Sequence, residues 1–336
     1  MKDFLHTMLQ GPMLQGQGQP PQVTSGENAE LTWQWLADGV LLLEPKVAAT
    51  DVKHVLMSAG VHGNETAPIE ILSRHVNRLL NGEMPLAVRL LVVFGNPDAI
   101  RAGVRYQSVD LNRLFHGYHR HYPECSETQR AIELENIVET FFADTSTERF
   151  HFDLHTAIRE SFHLRFGLLP QKTLASDDFL HGLIGMGLEA LVINPIPGGT
   201  FSYYTHAVLQ VQSCTLELGK ARAFGENDLS QFAAADKALA CFICGETFSA
   251  DMLAPIKVYQ VARELKKLSD DFHFIDVSDD AKNFTNFAQG TLIAQDGDVM
   301  YRVEHANEWL IFPNAGVKTG LRAGLMLAEA DLDALM

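Results

Sequence analysis

Residues 52–80 read VKHVLMSAGVHGNETAPIEILSRHVNRLL, and this stretch decides the architecture of the chain. Its first eight residues form an apolar run that predicts a strand over residues 52–59. A turn with two glycines follows. From residue 67, apolar side chains recur at helical spacing until the stop signal Asn81-Gly82. Strand, turn and helix are therefore the first structural unit.

The same alternation of strands and helices continues to about residue 244. A hairpin around Asp38-Gly39 precedes it, and a polar loop is expected between residues 95 and 123. Further strands are predicted at 88–94, 150–155, 164–169, 191–194 and 211–218, and helices at 127–142, 175–186 and 229–244. This pattern predicts an α/β fold with a mostly parallel or mixed sheet and helices on both faces.

The pattern changes near residue 251. From there the chain carries short alternating runs separated by the turn signals Gln289-Gly290 and Asp296-Gly297. We therefore expect two domains, a catalytic one over residues 1–250 and a smaller β-rich one over residues 251–336.

Composition excludes several classes of protein. The 336 residues are 46% hydrophobic, so the chain can bury a large core. Acidic residues number 42 against 26 basic ones, and the net charge of −16 argues against binding nucleic acid or an anionic membrane. No signal peptide is evident in residues 1–22, and no apolar run approaches the roughly 20 residues that span a bilayer. We expect a cytoplasmic protein whose four cysteines form no disulfide framework.

Two clusters have spacings that resemble metal sites. Cys241 and Cys244 lie in an apolar helical segment without a second cysteine pair, so we interpret them as core packing. The histidines between His116 and His121 lie in a polar loop without a companion carboxylate, and we interpret them as surface residues.

A third group is more informative, because its members follow the ends of predicted strands, where open α/β sheets place their ligands. His62 and Glu65 follow the strand 52–59, and His155 ends the strand that begins at Phe150. The period of two in a strand turns His155 away from the apolar face of its strand, and it places Glu217 on the polar face of another strand.

Zinc used in catalysis takes three protein ligands, and two histidines with one glutamate are a standard set. His62, Glu65 and His155 supply that set, and the glycines beside His62 allow the chain to bend sharply. Glu217 is the candidate base, and Asp153 is a candidate to orient a ligand histidine. Taken singly, the His-x-x-Glu pair is a weak signal, His155 fits an ordinary strand-end histidine, and Glu217 fits half of an ion pair.

Several motifs in fixed order resemble the succinylglutamate desuccinylase and aspartoacylase family of zinc-dependent amidohydrolases. The motifs are Gly60-Val-His-Gly-Asn-Glu65, Gly95-Asn-Pro97, Arg105-Tyr106, Asp110-Leu-Asn-Arg113, Asp153-Leu-His155 and Leu216-Glu-Leu-Gly219. The resemblance implies a zinc-carboxypeptidase-like mixed sheet flanked by helices, with a smaller β-rich C-terminal domain.

The resemblance also implies roles for individual residues. His62, Glu65 and His155 would hold one Zn²⁺, Glu217 would act as general base and acid, and Arg105, Asn112 and Arg113 would hold the substrate. The implied reaction is hydrolysis of N-succinyl-L-glutamate to succinate and L-glutamate, the last step of the arginine succinyltransferase route of arginine breakdown.

The charge of the chain agrees with this small-molecule substrate. N-succinylglutamate carries three carboxylates, so a protein of net charge −16 must gather arginines to bind it. Arg105 and Arg113 are the main candidates. Arg159, four residues after His155, is a candidate for the succinyl carboxylate, and a surface role for it stays open.

Two alternatives remain at this point. The same site could belong to an aspartoacylase-like or carboxypeptidase-like zinc hydrolase that acts on another N-acyl amino acid. It could also belong to a metal-binding module without catalysis, although such a module does not need Glu217. A His₂Glu set also accepts cobalt or other divalent ions.

Overall fold

A long mixed sheet organises the chain in the computed structural model, which describes residues 4–10, 24–46, 51–170, 175–248, 254–278 and 281–331. The helices are α1 (Phe4–Leu9), α2 (Thr66–Leu80), α3 (Pro97–Ala102), α4 (Ser126–Phe141), α5 (Asp177–Gly185), α6 (Phe201–Leu209) and α7 (Ala233–Cys244). Short 3-10 helices lie at Leu111–Arg113, Tyr118–His121 and Leu229–Phe232.

From β4 to α7 helices are interspersed among the strands, and after α7 the strands follow one another. They are β1 (Ser25–Glu27), β2 (Leu31–Ala37), β3 (Val40–Pro45), β4 (His54–Ala59), β5 (Arg89–Phe94), β6 (Arg149–Ala157), β7 (Phe166–Leu169), β8 (Ala190–Ile193), β9 (Gln212–Lys220), β10 (Lys257–Lys266), β11 (His273–Phe274), β12 (Thr285–Ala288), β13 (Leu292–Asp296), β14 (Val299–Arg302), β15 (Asn307–Ile311) and β16 (Arg322–Ala330).

Within the described residues, thirteen strands form one sheet in the order β1-β2-β3-β5-β4-β6-β9-β7-β8-β10-β16-β15-β12. Its central strands β5, β4, β6 and β9 are parallel neighbours. β3 joins β5 antiparallel, and β7 joins β9 antiparallel. The mixed α/β fold is thus confirmed, and the carboxyl ends of the four central strands meet at one edge of the sheet.

The two faces of β6 show why the sheet carries polar groups at its centre. Phe150, Phe152 and Leu154 pack into the largest apolar cluster, on the side of α2, α5 and α7. The alternating residues His151, Asp153 and His155 point to the other face and are also buried. The period of two therefore separates an apolar layer from a buried polar layer within one strand.

Three helices, α1, α3 and α6, were absent from the sequence predictions. α3 lies inside the expected polar loop, where the Asn96 side chain accepts a hydrogen bond from the Ala99 N–H and Pro97 occupies the first turn. These are helix-start signals, so the sequence did contain evidence for α3. α6 follows a Thr200 cap, and its run of aromatic and β-branched residues has low intrinsic helix propensity.

Of the C-terminal strands, β10, β16, β15 and β12 continue the same sheet, and β11, β13 and β14 form a separate three-stranded sheet. β10 pairs in parallel with β8, from Lys257 opposite Ala190 to Gln260 opposite Ile193, and then runs on to Lys266 beyond the end of β8. Strands predominate here, as expected. The division at residue 250 stays a prediction, and the boundary itself lies outside the described residues. None of the described helices is long and apolar enough to cross a membrane.

Candidate active site

The turn between β4 and α2 places His62 and Glu65 at the carboxyl edge of the sheet. Gly60 has a positive φ of 65°, a backbone conformation that most residues avoid. A Cβ at Gly63 would lie 2.3 Å from the carbonyl carbon of Ala99, so only glycine fits beside the start of α3. The Gly63 N–H donates to the Arg105 carbonyl at 3.0 Å and ties the turn to the next loop. Backbone crowding thus holds the turn in place.

His62, Glu65 and His155 form one buried group, as the sequence predicted from strand ends. His62 Nδ1 lies 2.9 Å from Glu65 Oε1, and His155 Nδ1 lies 2.9 Å from Glu65 Oε2. One potential ligand atom from each residue falls within 4.8 Å of the others. Two imidazole nitrogens and a carboxylate therefore converge on one point.

Each histidine turns its second ring nitrogen toward an aspartate. His62 Nε2 lies 2.9 Å from Asp110 Oδ1, and His155 Nε2 lies 3.1 Å from Asp153 Oδ2. This arrangement fixes each ring and leaves Nδ1 directed at Glu65. Asp153 thus makes the contact that we expected. Asp110 was missed as a histidine partner, although it opens a motif that the resemblance had singled out.

The donor set fits a divalent metal ion. The buried His62 Nδ1 has no hydrogen-bond partner among the described residues, because its approach to Glu65 lacks hydrogen-bond geometry. Burial lowers the pKa of His155, but the charges of Asp153 and Glu65 outweigh this effect and raise the pKa well above its usual value. Burial also works to raise the pKa of Glu65, yet the two histidines hold that pKa well below its usual range. A divalent cation would replace the protons shared among these groups.

Glu217 lies directly beside this group. It stands opposite His155 in the parallel pairing of β6 and β9. Its Oε2 atom is enclosed and has no hydrogen-bond partner among the described residues. Burial and the nearby Glu65 charge raise the pKa of Glu217 to about 7, while His155, His62 and Arg105 act in the opposite direction. A general base requires an unpartnered oxygen and a pKa near neutrality, and the Glu217 carboxylate has both.

Arg105 reaches the same group from the loop after α3. Its Nη1 donates to Glu65 Oε1 at 2.8 Å, and about a third of its side chain is exposed. Glu127 accepts hydrogen bonds from the N–H groups of Gln107 and Ser108, which anchors the loop. Arg105 is thus positioned at the candidate metal group, and its contact with a substrate stays a prediction.

Asn112 and Arg113 differ in their burial and in their hydrogen bonds. Asn112 is buried, and its Oδ1 accepts the N–H of Phe201 at the start of α6, so this oxygen has a structural role. Arg113 is exposed, and its Nη1 donates to the Asn112 carbonyl. Arg113 therefore remains the better placed of the two for a substrate carboxylate.

Arg159 contacts the C-terminal part of the chain. Its Nη1 donates to the Ala281 carbonyl at 2.9 Å. Together with Lys220 it lines a cavity of about 150 Å³ just beyond the ends of β6 and β9. The two cations lie within three or four residues of His155 and Glu217 along the chain. The predicted role of Arg159 in binding a carboxylate is untested.

Arg322 is a cation that the sequence analysis missed. It begins β16 opposite Lys266, about 20 Å along β10 from the last residue paired with β8. Burial and the charge of Arg113 lower its pKa to about 10, against an opposing effect of Glu264. The half-buried guanidinium makes no hydrogen bond or ion pair with any described residue. No local pattern marks this arginine, because the path of β10 alone brings it toward Arg113.

The two other clusters remain as interpreted from the sequence. Cys241 is buried and Cys244 half-buried in α7, and neither forms a disulfide. Across the described ranges, His62, Glu65 and His155 are the one group that could hold a metal ion, so the histidines between His116 and His121 form no such group.

Fold and site together define a mixed α/β protein with a buried His₂Glu group suited to a metal ion. The sequence model of the Succinylglutamate desuccinylase/Aspartoacylase catalytic domain matches residues 51–243, and the model of the AstE/AspA barrel-sandwich hybrid domain matches residues 254–330. The chain belongs to the succinylglutamate desuccinylase/aspartoacylase family.

Several similar proteins carry the name succinylglutamate desuccinylase. The succinylglutamate desuccinylase of Serratia proteamaculans is 50% identical over 314 residues, which cover 93% of this chain and 95% of the relative. A crystal structure of the Chromobacterium violaceum succinylglutamate desuccinylase has a TM-score of 0.82 at 36% identity and covers 99% of both chains. The Vibrio parahaemolyticus structure of the same name has a TM-score of 0.88 at 30% identity, with 98% of this chain and 96% of that chain covered.

Proposed function

We propose that this protein hydrolyses N-succinyl-L-glutamate to succinate and L-glutamate. The observation that carries the proposal is the pairing of His155 with Glu217 across β6 and β9, beside the convergent His62 and Glu65. A candidate metal group and an unpartnered base thus share one site. The substrate is taken from the relatives, whose name states it and which match almost the whole chain.

We propose that the resident ion is zinc. Two histidine nitrogens and one carboxylate are a standard catalytic zinc set that leaves a position for water. When bound, zinc would supply a Lewis acid for the amide carbonyl and lower the pKa of water. His62 and His155 would present Nδ1 to the ion, since Asp110 and Asp153 occupy the Nε2 positions.

Glu217 supplies the proton transfers. Addition of water to the succinyl carbonyl releases one proton, which Oε2 of Glu217 accepts. The C–N bond then breaks, and the same oxygen delivers this proton to the nitrogen of the departing glutamate. A pKa raised by burial suits both steps, because the group must accept and then return a proton near neutral pH.

The cations around the site account for a substrate with three carboxylates. Arg105, Arg113 and Arg322 come from two separate parts of the sequence; Arg105 contacts Glu65, and Arg322 lies near enough to Arg113 to feel its charge. Arginine binds carboxylates in a planar, two-pronged geometry, so a few such residues can offset the net charge of −16 locally. We propose that Arg113 and Arg322 bind substrate carboxylates.

This function would place the protein at the end of the arginine succinyltransferase route. We propose that it acts in the cytoplasm, in keeping with four cysteines that are all unpaired.

A comparison of substrates tests the function. The zinc-loaded protein is assayed with N-succinyl-L-glutamate, N-acetyl-L-aspartate and a peptide with a free C-terminus, and release of each product is measured. We expect the highest kcat/KM with N-succinyl-L-glutamate. Preference for N-acetyl-L-aspartate would show that the substrate is wrong. A protein that binds zinc but hydrolyses none of the three would overturn the enzymatic proposal.

Arg322→Gln tests the contribution of the C-terminal strands. A hydrogen bond to a charged group contributes about 1.5–3 kcal/mol, so we expect kcat/KM to fall about 10- to 100-fold, mainly through KM. Arg302→Gln, an exposed arginine on β14, is the matched control and should leave KM unchanged. Equal KM values for wild type and Arg322→Gln would exclude Arg322 from the substrate site.

A further inference from the structure

A network of hydrogen-bonded buried side chains lies behind His155 and extends away from the candidate metal group. It consists of Asp153, Ser58, His151 and Thr205. Asp153 uses Oδ2 for His155 and accepts the Ser58 hydroxyl on Oδ1 at 2.6 Å. Ser58 Oγ lies 2.9 Å from His151 Nε2, and His151 Nδ1 lies 2.8 Å from Thr205 Oγ1. Each of these residues is at most 2% exposed, so none exchanges its partner for water.

The hydrogen bonds of this network have one consistent donor-to-acceptor direction. Ser58 carries a single hydroxyl proton and donates it to Asp153, so its oxygen must accept from His151 Nε2–H. His151 Nδ1 is then the acceptor in its 2.8 Å contact with Thr205 Oγ1, which also lies 3.1 Å from the Ser202 carbonyl and 2.9 Å from Ser213 Oγ. In the opposite tautomer of His151, Nε2 would be an acceptor. The single Ser58 proton would then have to serve both this nitrogen and Asp153. Burial lowers the pKa of His151 to about 4, which keeps the ring neutral and preserves this direction.

The network forms because the strand register brings these side chains together. Ser58 pairs with Asp153 across β4 and β6, and both point to the same face of the sheet. Thr205 comes from α6, which packs on that face. β4, β6 and α6 together therefore supply the contacts that direct the Ser58 hydroxyl at Oδ1 of Asp153.

We propose that Ser58 and His151 are positioning residues of the metal centre. Through Asp153 they hold His155 as the Nε2–H tautomer, with Nδ1 facing Glu65 and available to the ion. They contact neither metal nor substrate. This inference rests on the metal-binding part of the proposed function and extends it by two residues beyond Asp153.

Zinc affinity, measured by competition with a chelator, is the first test. Partners that orient ligands typically change metal affinity 10- to 100-fold, and we expect losses in that range for Ser58→Ala and His151→Phe. Ser73→Ala is the matched control, because Ser73 is a buried serine on α2 whose hydroxyl has no described partner. It should bind zinc as wild type does. Melting temperatures of the metal-free variants show whether each one folds.

A double-mutant cycle separates positioning from a general structural role. If Ser58 acts through Asp153, Ser58→Ala should cost much less zinc affinity in an Asp153→Asn background than in wild type. Losses that simply add would overturn the proposal. The ¹⁵N shifts of His155 in the zinc-loaded protein give a second readout. We expect the Nε2–H tautomer in wild type and a mixture in Ser58→Ala.

The outcomes are distinguishable from failure of the proposed function. A wild type that binds zinc without hydrolysing N-succinyl-L-glutamate refutes the substrate, while the affinities still decide the positioning role. Wild-type zinc affinity in folded Ser58→Ala and His151→Phe overturns the positioning role alone. A wild type that binds no divalent ion overturns both.

Discussion

Glu217→Gln is expected to lower kcat by about 10²- to 10⁴-fold, the usual contribution of general acid–base catalysis, while zinc affinity stays close to that of wild type. Glutamine keeps the size of the side chain but cannot accept the proton from water. Glu217 adjoins His155 in register without a hydrogen bond from Oε2, so its replacement leaves the ligand contacts in place. The measurements are kcat with N-succinyl-L-glutamate and zinc content of the purified protein.

Glu226→Gln is the control, because Glu226 is an exposed glutamate shortly after β9 and should behave as wild type. A Glu217→Gln variant with more than a tenth of wild-type kcat would show that another group accepts the proton. Loss of zinc from this variant would instead assign Glu217 to the ligand set.

The same residue sets the acid limb of the pH profile. Glu217 must be ionised to act as base, so kcat/KM should fall as pH drops through its pKa. Burial and Glu65 raise that pKa from 4.5 to about 7, whereas the nearby cations act to lower it. A bound divalent cation adds to the lowering, so the limb should lie between pH 4.5 and 7. The residual activity of Glu217→Gln should lack this limb.

Glu65→Gln is expected to abolish activity and to weaken zinc binding by more than about 100-fold, beyond the range seen for residues that only orient ligands. Glu65 is buried between His62 and His155 and contacts both through separate oxygens. A neutral amide in its place removes the negative charge from the ligand set and presents an NH₂ group to one histidine. Isothermal titration with zinc measures the loss directly.

Thermal unfolding gives an independent check on Glu65. Zinc at 1,000 times its Kd should stabilise the wild type by about 4.1 kcal/mol and raise its melting temperature. The melting temperature of Glu65→Gln should not respond to zinc at the same concentration. Glu83→Gln, an exposed glutamate just after α2, should respond as wild type does. A Glu65→Gln protein that retains one equivalent of zinc would remove Glu65 from the ligand set.

Local sequence patterns were sufficient for the main elements of the catalytic region. The apolar run before His62 and the helical spacing after Glu65 correspond to β4 and α2, within about two residues at each end. The period of two assigned His155 and Glu217 to the correct faces of their strands. These features are predictable because they depend on the periodicity of a single element and on burial of its apolar side.

Partners from distant segments could not be predicted in the same way. Asp110 contacts His62, and the oxygen of Asn112 is used by α6, because a loop of irregular path returns to the sheet. Arg322 approaches Arg113 because β10 continues past its pairing with β8 and there pairs with the start of β16. Such contacts depend on loop paths and strand lengths that no local repeat encodes.

The sequence by itself determined an α/β chain with a sharp glycine turn, a His₂Glu set at strand ends and a glutamate on the polar face of a neighbouring strand. Only the tertiary structure decided that the two histidines expose Nδ1 to Glu65, that Ser58 and His151 lie behind Asp153, and that Arg322 lies near Arg113. The physical reason is register. Strand pairing and loop closure align side chains that are far apart in sequence. Packing of the whole core supplies the free energy that holds them in that alignment.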